Sequence, residues 1–268
     1  MRLLLLLTIL LVLVVSACRK VEDLDTCRLV KFVQENPINQ TIHYDFITLK
    51  DGRIEKLLSF DLNAGNDTVN KVIAFFEYDS KGRVKAVRDE ADLKNIKRFE
   101  GIYDDRDNAV KIVQTTNGDP DDEINVEYDL RNRPINVLSR YKLGINRSIE
   151  YNNLGNPYRV FRSDLVAPPT ITEHTFDNKR NFFSGIPEIK FYWLVRPLNS
   201  FLPFGDNNIV SSKVFTFQSD SFKETEGLQS KRELTYNDKG YPDKIRIIRN
   251  NPPGTVSNTS TFSYDCLE

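Results

Sequence analysis

The sequence predicts an all-β fold: an antiparallel meander of tyrosine-led β-hairpin repeats forming a curved open sheet, with one short inserted helix. A β-sandwich or a partly closed barrel is the alternative. Three observations lead there. A five-residue turn motif recurs along the chain, apolar and charged positions alternate on either side of it, and the composition is that of a globular protein. The 268 residues are 40% hydrophobic and 28% charged, which excludes disorder driven by low hydrophobicity and a disulfide-dense miniprotein. Thirty-seven Lys+Arg against 38 Asp+Glu leave no basic excess, so nucleic acid is not the expected partner.

Residues 1–17 read as a secretory signal. Arg2 is the only charge before the run from Leu3 to Val15, in which only Thr8 is polar. That run is shorter than the roughly 20 apolar residues a membrane-spanning helix needs. It ends in Val15-Ser16-Ala17-Cys18, which resembles the lipobox of bacterial lipoproteins. The resemblance implies diacylation of Cys18, cleavage before it and a membrane anchor of two acyl chains. Residues 18–28 are then a lipidated tether, and Arg19 in place of a retention aspartate implies the outer membrane, on its periplasmic side or at the cell surface. Residues 29–268 form a single repeat-built β domain. Of the two remaining cysteines, Cys27 lies near the mature start, within the tether, and Cys266 is two residues from the end of the chain. An extracytoplasmic compartment permits a bridge between them; the other reading is two unpaired, partly buried thiols.

The repeat organises the rest. Tyr78-Asp-Ser-Lys-Gly82, Tyr103-Asp-Asp-Arg-Asp107, Tyr128-Asp-Leu-Arg-Asn132, Tyr151-Asn-Asn-Leu-Gly155 and Tyr236-Asn-Asp-Lys-Gly240 share one pattern. Phe176-Asp-Asn-Lys-Arg180 is a degenerate copy, and Tyr264-Asp265 begins another. The lead aromatics are spaced by 25, 25, 23, 25, 60 and 28 residues. An Asp or Asn just past a strand caps a type I turn. Gly, Asn or Asp four places after the aromatic accepts the left-handed conformation that closes such a hairpin. Nine places after it stands Val87, Ile112, Val137, Val160 or Ile245, while acidic and basic residues take the alternate positions. Period-two alternation puts the aromatics and aliphatics on one sheet face and the charges on the other. Asp51-Gly52-Arg53-Ile54 resembles the second half of a further copy, with Leu57 in the aliphatic slot. The pattern predicts about 12 to 14 strands.

The spacing of 60 marks an insertion at about 181–207. Pro187 suits the first turn of a helix, Glu188 its positive end, and Pro197 would stop it. Ile189, Tyr192, Trp193 and nearby Phe201, Leu202 and Phe204 make this the most apolar stretch after the signal. A hairpin across roughly Ile209–Gln218 and Gln229–Tyr236 follows.

Tyr78-Asp79-Ser80-Lys81-Gly82-Arg83 resembles the YD repeat of Rhs-type proteins. The wider layout resembles a group of YD-repeat, Rhs-like lipoproteins common in gut Bacteroidota: lipobox, YD hairpins, an insertion opening near Asp177-Asn178-Lys179, an Asn207-Asn208 step and the Tyr236–Pro242 turn. The motif specifies hairpin geometry and implies no catalytic residue.

Chemistry-bearing patterns are few. His43 and His174 lie in separate segments and read as ordinary strand residues. No zinc spacing, phosphate loop or nucleophile elbow occurs, so no catalytic residue, metal or cofactor is expected. The acidic clusters at Asp104–Asp107 and Asp119–Glu123 lack EF-hand spacing and fit turn chemistry. Phe191, Tyr192 and Trp193, with Phe182, Phe183 and Phe201, either form a sugar- or partner-binding platform or seal one end of the sheet. The functional expectation is a lipid-anchored cell-envelope binding or scaffold protein without catalytic activity, whose partners are the membrane, through its lipid, and an envelope protein or glycan. The alternative is an envelope glycan-processing enzyme using carboxylates on the concave face.

Overall fold

The computed structural model describes residues 27–36, 40–48, 51–62, 67–90, 95–140, 146–164, 167–181, 183, 185–196, 202–225, 228–250 and 253–266, with backbone alone at 36, 40, 250 and 253–257. The signal, most of the tether with Cys18, and the residues Phe182, Pro197 and Phe201 lie outside the described residues.

Among the described residues the chain forms seventeen strands and one helix. β1 (Cys27–Asn36) comes first. Hairpins follow: β2 (Gln40–Thr48) with β3 (Ile54–Leu62), β4 (Thr68–Tyr78) with β5 (Val84–Asp89), and β6 (Lys97–Tyr103) with β7 (Ala109–Thr116). Then come β8 (Asp119–Tyr128) with β9 (Pro134–Ser139), and β10 (Asn146–Tyr151) with β11 (Pro157–Ser163). The helix α1 (Pro187–Val195) separates β12 (Thr170–Arg180) from β13 (Asn207–Gln218). The last strands are β14 (Ser221–Glu224), β15 (Ser230–Tyr236), β16 (Pro242–Asn250) and β17 (Pro253–Cys266).

Each strand pairs antiparallel with the next in the chain, except that β14 and β15 both pair with β13, and β1 pairs with both β2 and β17. The sheet therefore closes into a barrel, where an open curved sheet was expected from the sequence. β14 and β15 run in the same direction along β13, through Phe217↔Phe222 and Ser212↔Ser230. They are two halves of one interrupted stave, so the wall has sixteen staves. An even number is what lets a meander meet its own first strand antiparallel, and closure removes the two edges an open sheet would expose.

Eight hairpins of the repeat account for the sixteen staves. Two of them show only half of the motif in the sequence, which is why it suggests fewer strands. In one, Thr48 takes the lead aromatic's place before the Gly52 turn. In the other, the hairpin is assembled from the two ends of the chain. Tyr264 pairs with Leu29 as Tyr78 pairs with Val84, and Phe32 is buried where Val87 is buried in its own copy. The link that a turn makes elsewhere is here the Cys27–Cys266 disulfide, which joins residues 239 apart in sequence. β1 thus begins inside the segment expected to be tether, because Cys27 belongs to the seam.

The turns form for the local reasons their residues supply. In each complete copy the Asx side chain accepts two backbone N–H groups. Asp79 Oδ1 takes Lys81 N and Arg83 N, each at 2.9 Å. Asp104, Asp129, Asn152 and Asn237 repeat this at 2.8–3.1 Å. The fourth residue is left-handed throughout: Gly82 (φ 80°), Asp107 (63°), Asn132 (58°), Gly155 (85°) and Gly240 (81°). A register shift at each lead tyrosine completes the closure.

The lead tyrosines stand side by side as rungs. Five of the six hydroxyls donate to the carbonyl six places after the preceding lead position: Tyr78 to Ile54 (2.6 Å), Tyr103 to Val84 (2.5 Å), Tyr128 to Ala109 (3.1 Å), Tyr151 to Pro134 (2.9 Å) and Tyr264 to Pro242 (2.7 Å). The residue five places after a lead position covers the next ring: Arg53 over Tyr78, Arg83 over Tyr103, Arg133 over Tyr151, each 4.3–4.4 Å from the centroid. Burial is the first cause that lifts these phenols above the ordinary tyrosine pKa, so they remain donors. The copy led by Phe176 departs. Phenylalanine has no hydroxyl to give, and its turn is opened by the insertion between Arg180 and Asn207, which pair with each other. Asp177 caps Lys179 N (3.0 Å) but takes its second N–H from Asn208 (3.0 Å), and it accepts the Tyr236 hydroxyl.

Inside the barrel lies one apolar core. Sixteen staves enclose more space than wall side chains fill, and α1 occupies it. Ile189, Phe191, Tyr192, Trp193, Leu194 and Val195 join Phe32, Phe76, Phe99 and Ile112 in a single cluster. Gly101 on β6 makes room for α1. A Cβ there would stand 2.7 Å from Phe191 Cε2.

Two outcomes test this packing. Replacing both seam cysteines by serine should lower stability by about 2–5 kcal/mol in urea unfolding, because the bridge restricts a very long loop in the unfolded chain. Gly101→Val should cost about 1–3 kcal/mol by forcing Phe191 out of place, and adding Phe191→Leu should recover part of that loss.

Candidate functional site: the turn-bearing rim

All the repeat turns lie at one rim of the barrel, and α1 enters the lumen from that side. Its first turn is fixed by Glu188, which is 4% exposed. Glu188 Oε1 accepts Ile54 N at 3.2 Å and lies 2.8 Å from the Tyr78 hydroxyl, whose single proton it shares with Ile54 O. A buried carboxylate needs such donors, and its place near the positive end of the helix favours it further. At the other end of α1, the Arg196 Nε is 2.8 Å from the carboxylate of buried Asp89, and Arg147 lies over the Trp193 ring at 5.1 Å. The insertion is thereby tied at both rims. Its remaining chain is pinned by Asn181, whose Nδ2 donates to Leu202 O and Gly205 O (2.9 and 3.0 Å).

Two recesses flank α1 at the turn-bearing rim. One, of about 630 Å³, is framed by four consecutive turns and floored by Phe191, Leu194 and Phe204. The other, of about 610 Å³, lies by the seam beside Arg28, Arg53, Glu188 and Tyr241. The carboxylates of the turns are occupied. Burial opposes ionisation of Asp79 and Asp129, but N–H and guanidinium donors more than offset it and hold both below the usual carboxylate range. For Asp104 the backbone N–H of Asn108 is the main cause of the same lowering.

The aromatics singled out in the sequence are distributed unequally. Phe191, Tyr192 and Trp193 are 4%, 4% and 3% exposed. They pack the lumen and form no exposed platform, though Phe191 reaches the floor of the larger recess. Phe183 is buried with them. Tyr78, Tyr103, Tyr128, Tyr151 and Tyr264 pack against this core, whereas Phe176 and Tyr236 stand in the stretch of wall disturbed by the insertion. Sequence reasoning missed Lys190, whose side chain lines the larger recess; a lone lysine on an apolar helix carries no motif. It also missed Gly101, although glycine within a strand pattern signals close approach by a neighbour.

The outer wall is mostly polar, with single exposed apolar side chains such as Ile47, Ile102, Leu138 and Phe217 among its charges. Cross-strand ion pairs include Lys111–Glu123 (2.6 Å), Arg246–Glu233 (3.0 Å), Lys213–Glu224 (3.5 Å) and Arg98–Glu77. Arg159 bridges Glu150 and Glu173 at 3.7 Å each.

Of the two histidines, His43 stacks on Phe60 (4.8 Å between centroids). His174 Nδ1 is 2.9 Å from Ser212 Oγ, and burial, helped by Arg232, depresses its pKa to about 3. The unfolded chain titrates near 6.5 and takes up a proton that the folded state refuses. Stability from this group is complete above pH 6.5 and declines as pH falls toward 3. In urea unfolding between pH 7 and 5, the wild type should therefore weaken on acidification, and His174→Gln should flatten that slope.

No protein-family model matches the chain, and no curated protein matches it. Among solved structures the barrel is similar to a porin-like protein from Bacteroides uniformis ATCC 8492, with a TM-score of 0.56 and 13% identity over 88% of this chain and 98% of that one. A porin-like protein from Bacteroides vulgatus ATCC 8482 aligns with a TM-score of 0.45 at 13% identity, over 90% of this chain and 99% of its own. The TcdB2-TccC3 structure aligns with a TM-score of 0.22 at 11% identity, over 83% of this chain and 17% of that one. The last two are too distant to carry an argument. The first supports the fold: an all-β antiparallel barrel with an inserted helix.

Proposed function

We propose that this protein is a lipid-anchored, non-catalytic binding module of the outer cell envelope, a filled barrel that takes its ligand or partner at the turn-bearing rim. The observation that carries this reading is the polarity of the wall. A membrane-spanning barrel turns an apolar band toward lipid and keeps a polar interior. Here the interior is a packed apolar core around α1, and the exterior carries cross-strand ion pairs. Charges facing lipid at the bilayer midplane would cost about 2–4 kcal/mol each for Arg or Lys. The porin-like architecture of the structural neighbour fits an envelope protein, while the filled lumen argues against conduction.

Attachment through Cys18 accounts for how such a barrel is held at a membrane. β1 begins at Cys27 on the turn-bearing rim, and nine extended residues reach at most about 30 Å. The recesses are then kept close to the membrane surface. Turn carboxylates engaged by backbone N–H groups favour binding over catalysis, and the tyrosine-led turns support grouping the chain with the YD-repeat lipoproteins.

In cell fractionation, Cys18→Ala should move the protein from the membrane to the aqueous fraction, and the lipidated protein should give no stepwise conductance in planar bilayers. A Cys18→Ala variant that stays membrane-integral, or discrete channel openings, would overturn the reading.

A further inference from the structure

We propose that the larger rim recess is a binding site for a short acidic oligosaccharide, one whose sugar rings carry carboxylates. Its volume of about 630 Å³ falls within the range of roughly 300–1,000 Å³ usual for small-ligand sites. This deepens the binding-module reading and rests on it.

The charge inventory points to an anion. Five cationic side chains line the recess, Lys81, Arg83, Arg131, Arg133 and Lys190, against the carboxylates of Asp107 and Asp206. Two of the five are engaged already: Arg83 Nη1 and Lys81 Nζ lie 2.6 and 3.5 Å from Asp107 Oδ1. The other three keep donors in hand. Arg133 gives Nε and Nη2 to Asp129 (2.8 and 2.5 Å), while its buried Nη1 has no hydrogen-bond partner. Among the described residues the Arg131 guanidinium and the Lys190 ammonium form no ion pair. Burial lowers the Lys190 pKa, and the field of Asp206 opposes that shift. A half-buried ammonium and a buried guanidinium nitrogen are costly without partners. A carboxylate placed between α1 and the turn at 129–133 would satisfy both.

The rest of the lining points to a sugar. Half-buried Phe204, backed by the buried Phe191 and Leu194, gives the recess an apolar floor for the C–H face of a ring. Asn132 and Asn153 hold amides at the edge, where hydroxyls would lie. Asn132 Oδ1 is taken by Asn108 Nδ2 (3.0 Å), so what its amide has left to offer a ligand is N–H donors.

The test is calorimetric titration of the full-length protein in mild detergent with trigalacturonic acid, its trimethyl ester and malonate. The acid should bind at least about tenfold tighter than the ester, since the charge-assisted hydrogen bonds are lost with esterification. Lys190→Gln and Arg131→Gln should each weaken the acid by about tenfold, whereas the outer-wall variant Arg246→Gln should bind as wild type. Thermal melts would establish that each variant is folded; where Lys190→Gln is not, the Arg131→Gln result decides. Equal binding of acid and ester, malonate binding as tightly as the trisaccharide, or no heat with any of the three would overturn the proposal. Failure here with the Cys18-dependent anchoring and silent bilayers intact would defeat the ligand assignment alone. A conducting barrel would defeat the reading beneath it.

Discussion

The structure depends on a single recurring constraint: a backbone reversal that leaves no unmet donor at its centre and delivers one tyrosine to a fixed layer. The Asx carboxyl or amide captures two N–H groups, the left-handed fourth residue finishes the bend, and the tyrosine hydroxyl then reaches a carbonyl of the preceding copy. The last contact links one hairpin to its neighbour. Each copy is thereby fixed in register by the copy before it, and a one-residue slip would turn buried aliphatics such as Val87 and Ile112 toward water.

That dependence explains what could be read from the residues and what could not. The turns were legible because Asp79, Gly82 and their equivalents act within five residues, where local chemistry decides. The aliphatic slots were legible because period-two alternation follows directly from the turn. The start of α1 was legible too, since Pro187 and Glu188 mark a helix start; its place inside the barrel was not, because its aromatics read equally as a platform or as a seal at one end of the sheet. Closure was not. Local pattern sets curvature, but whether the last stave meets the first depends on how many staves there are. Two copies were obscured, one by Thr48 and one by its division between Tyr264-Asp265 and Arg28-Leu29. The rim recess was also invisible, because Lys190, Arg131 and Arg133 come together only when the helix threads the barrel.

The insertion gives the fold its character. A wall of sixteen staves would otherwise enclose water, as wide barrels do. Placing α1 in the opened turn of the Phe176 copy converts that space into an apolar core and creates recesses where the helix leaves the rim. The cost falls on the same copy, which loses its own turn and hydroxyl contact and is held by Asp177, Asn208 and Tyr236 in their place. Filled interior and ion-paired exterior are two sides of one choice. With the lumen packed, most strand charges take the outside, and those that stay buried, such as Asp89 and Arg147, are met by Arg196 and Trp193 of the insertion.

The seam has a topological consequence. Because the Cys27–Cys266 bond stands where a reversal stands elsewhere, the chain between these residues is a covalent ring. A protease that cleaves one loop of such a ring linearises it without releasing a fragment. Two cuts are needed before any piece can leave.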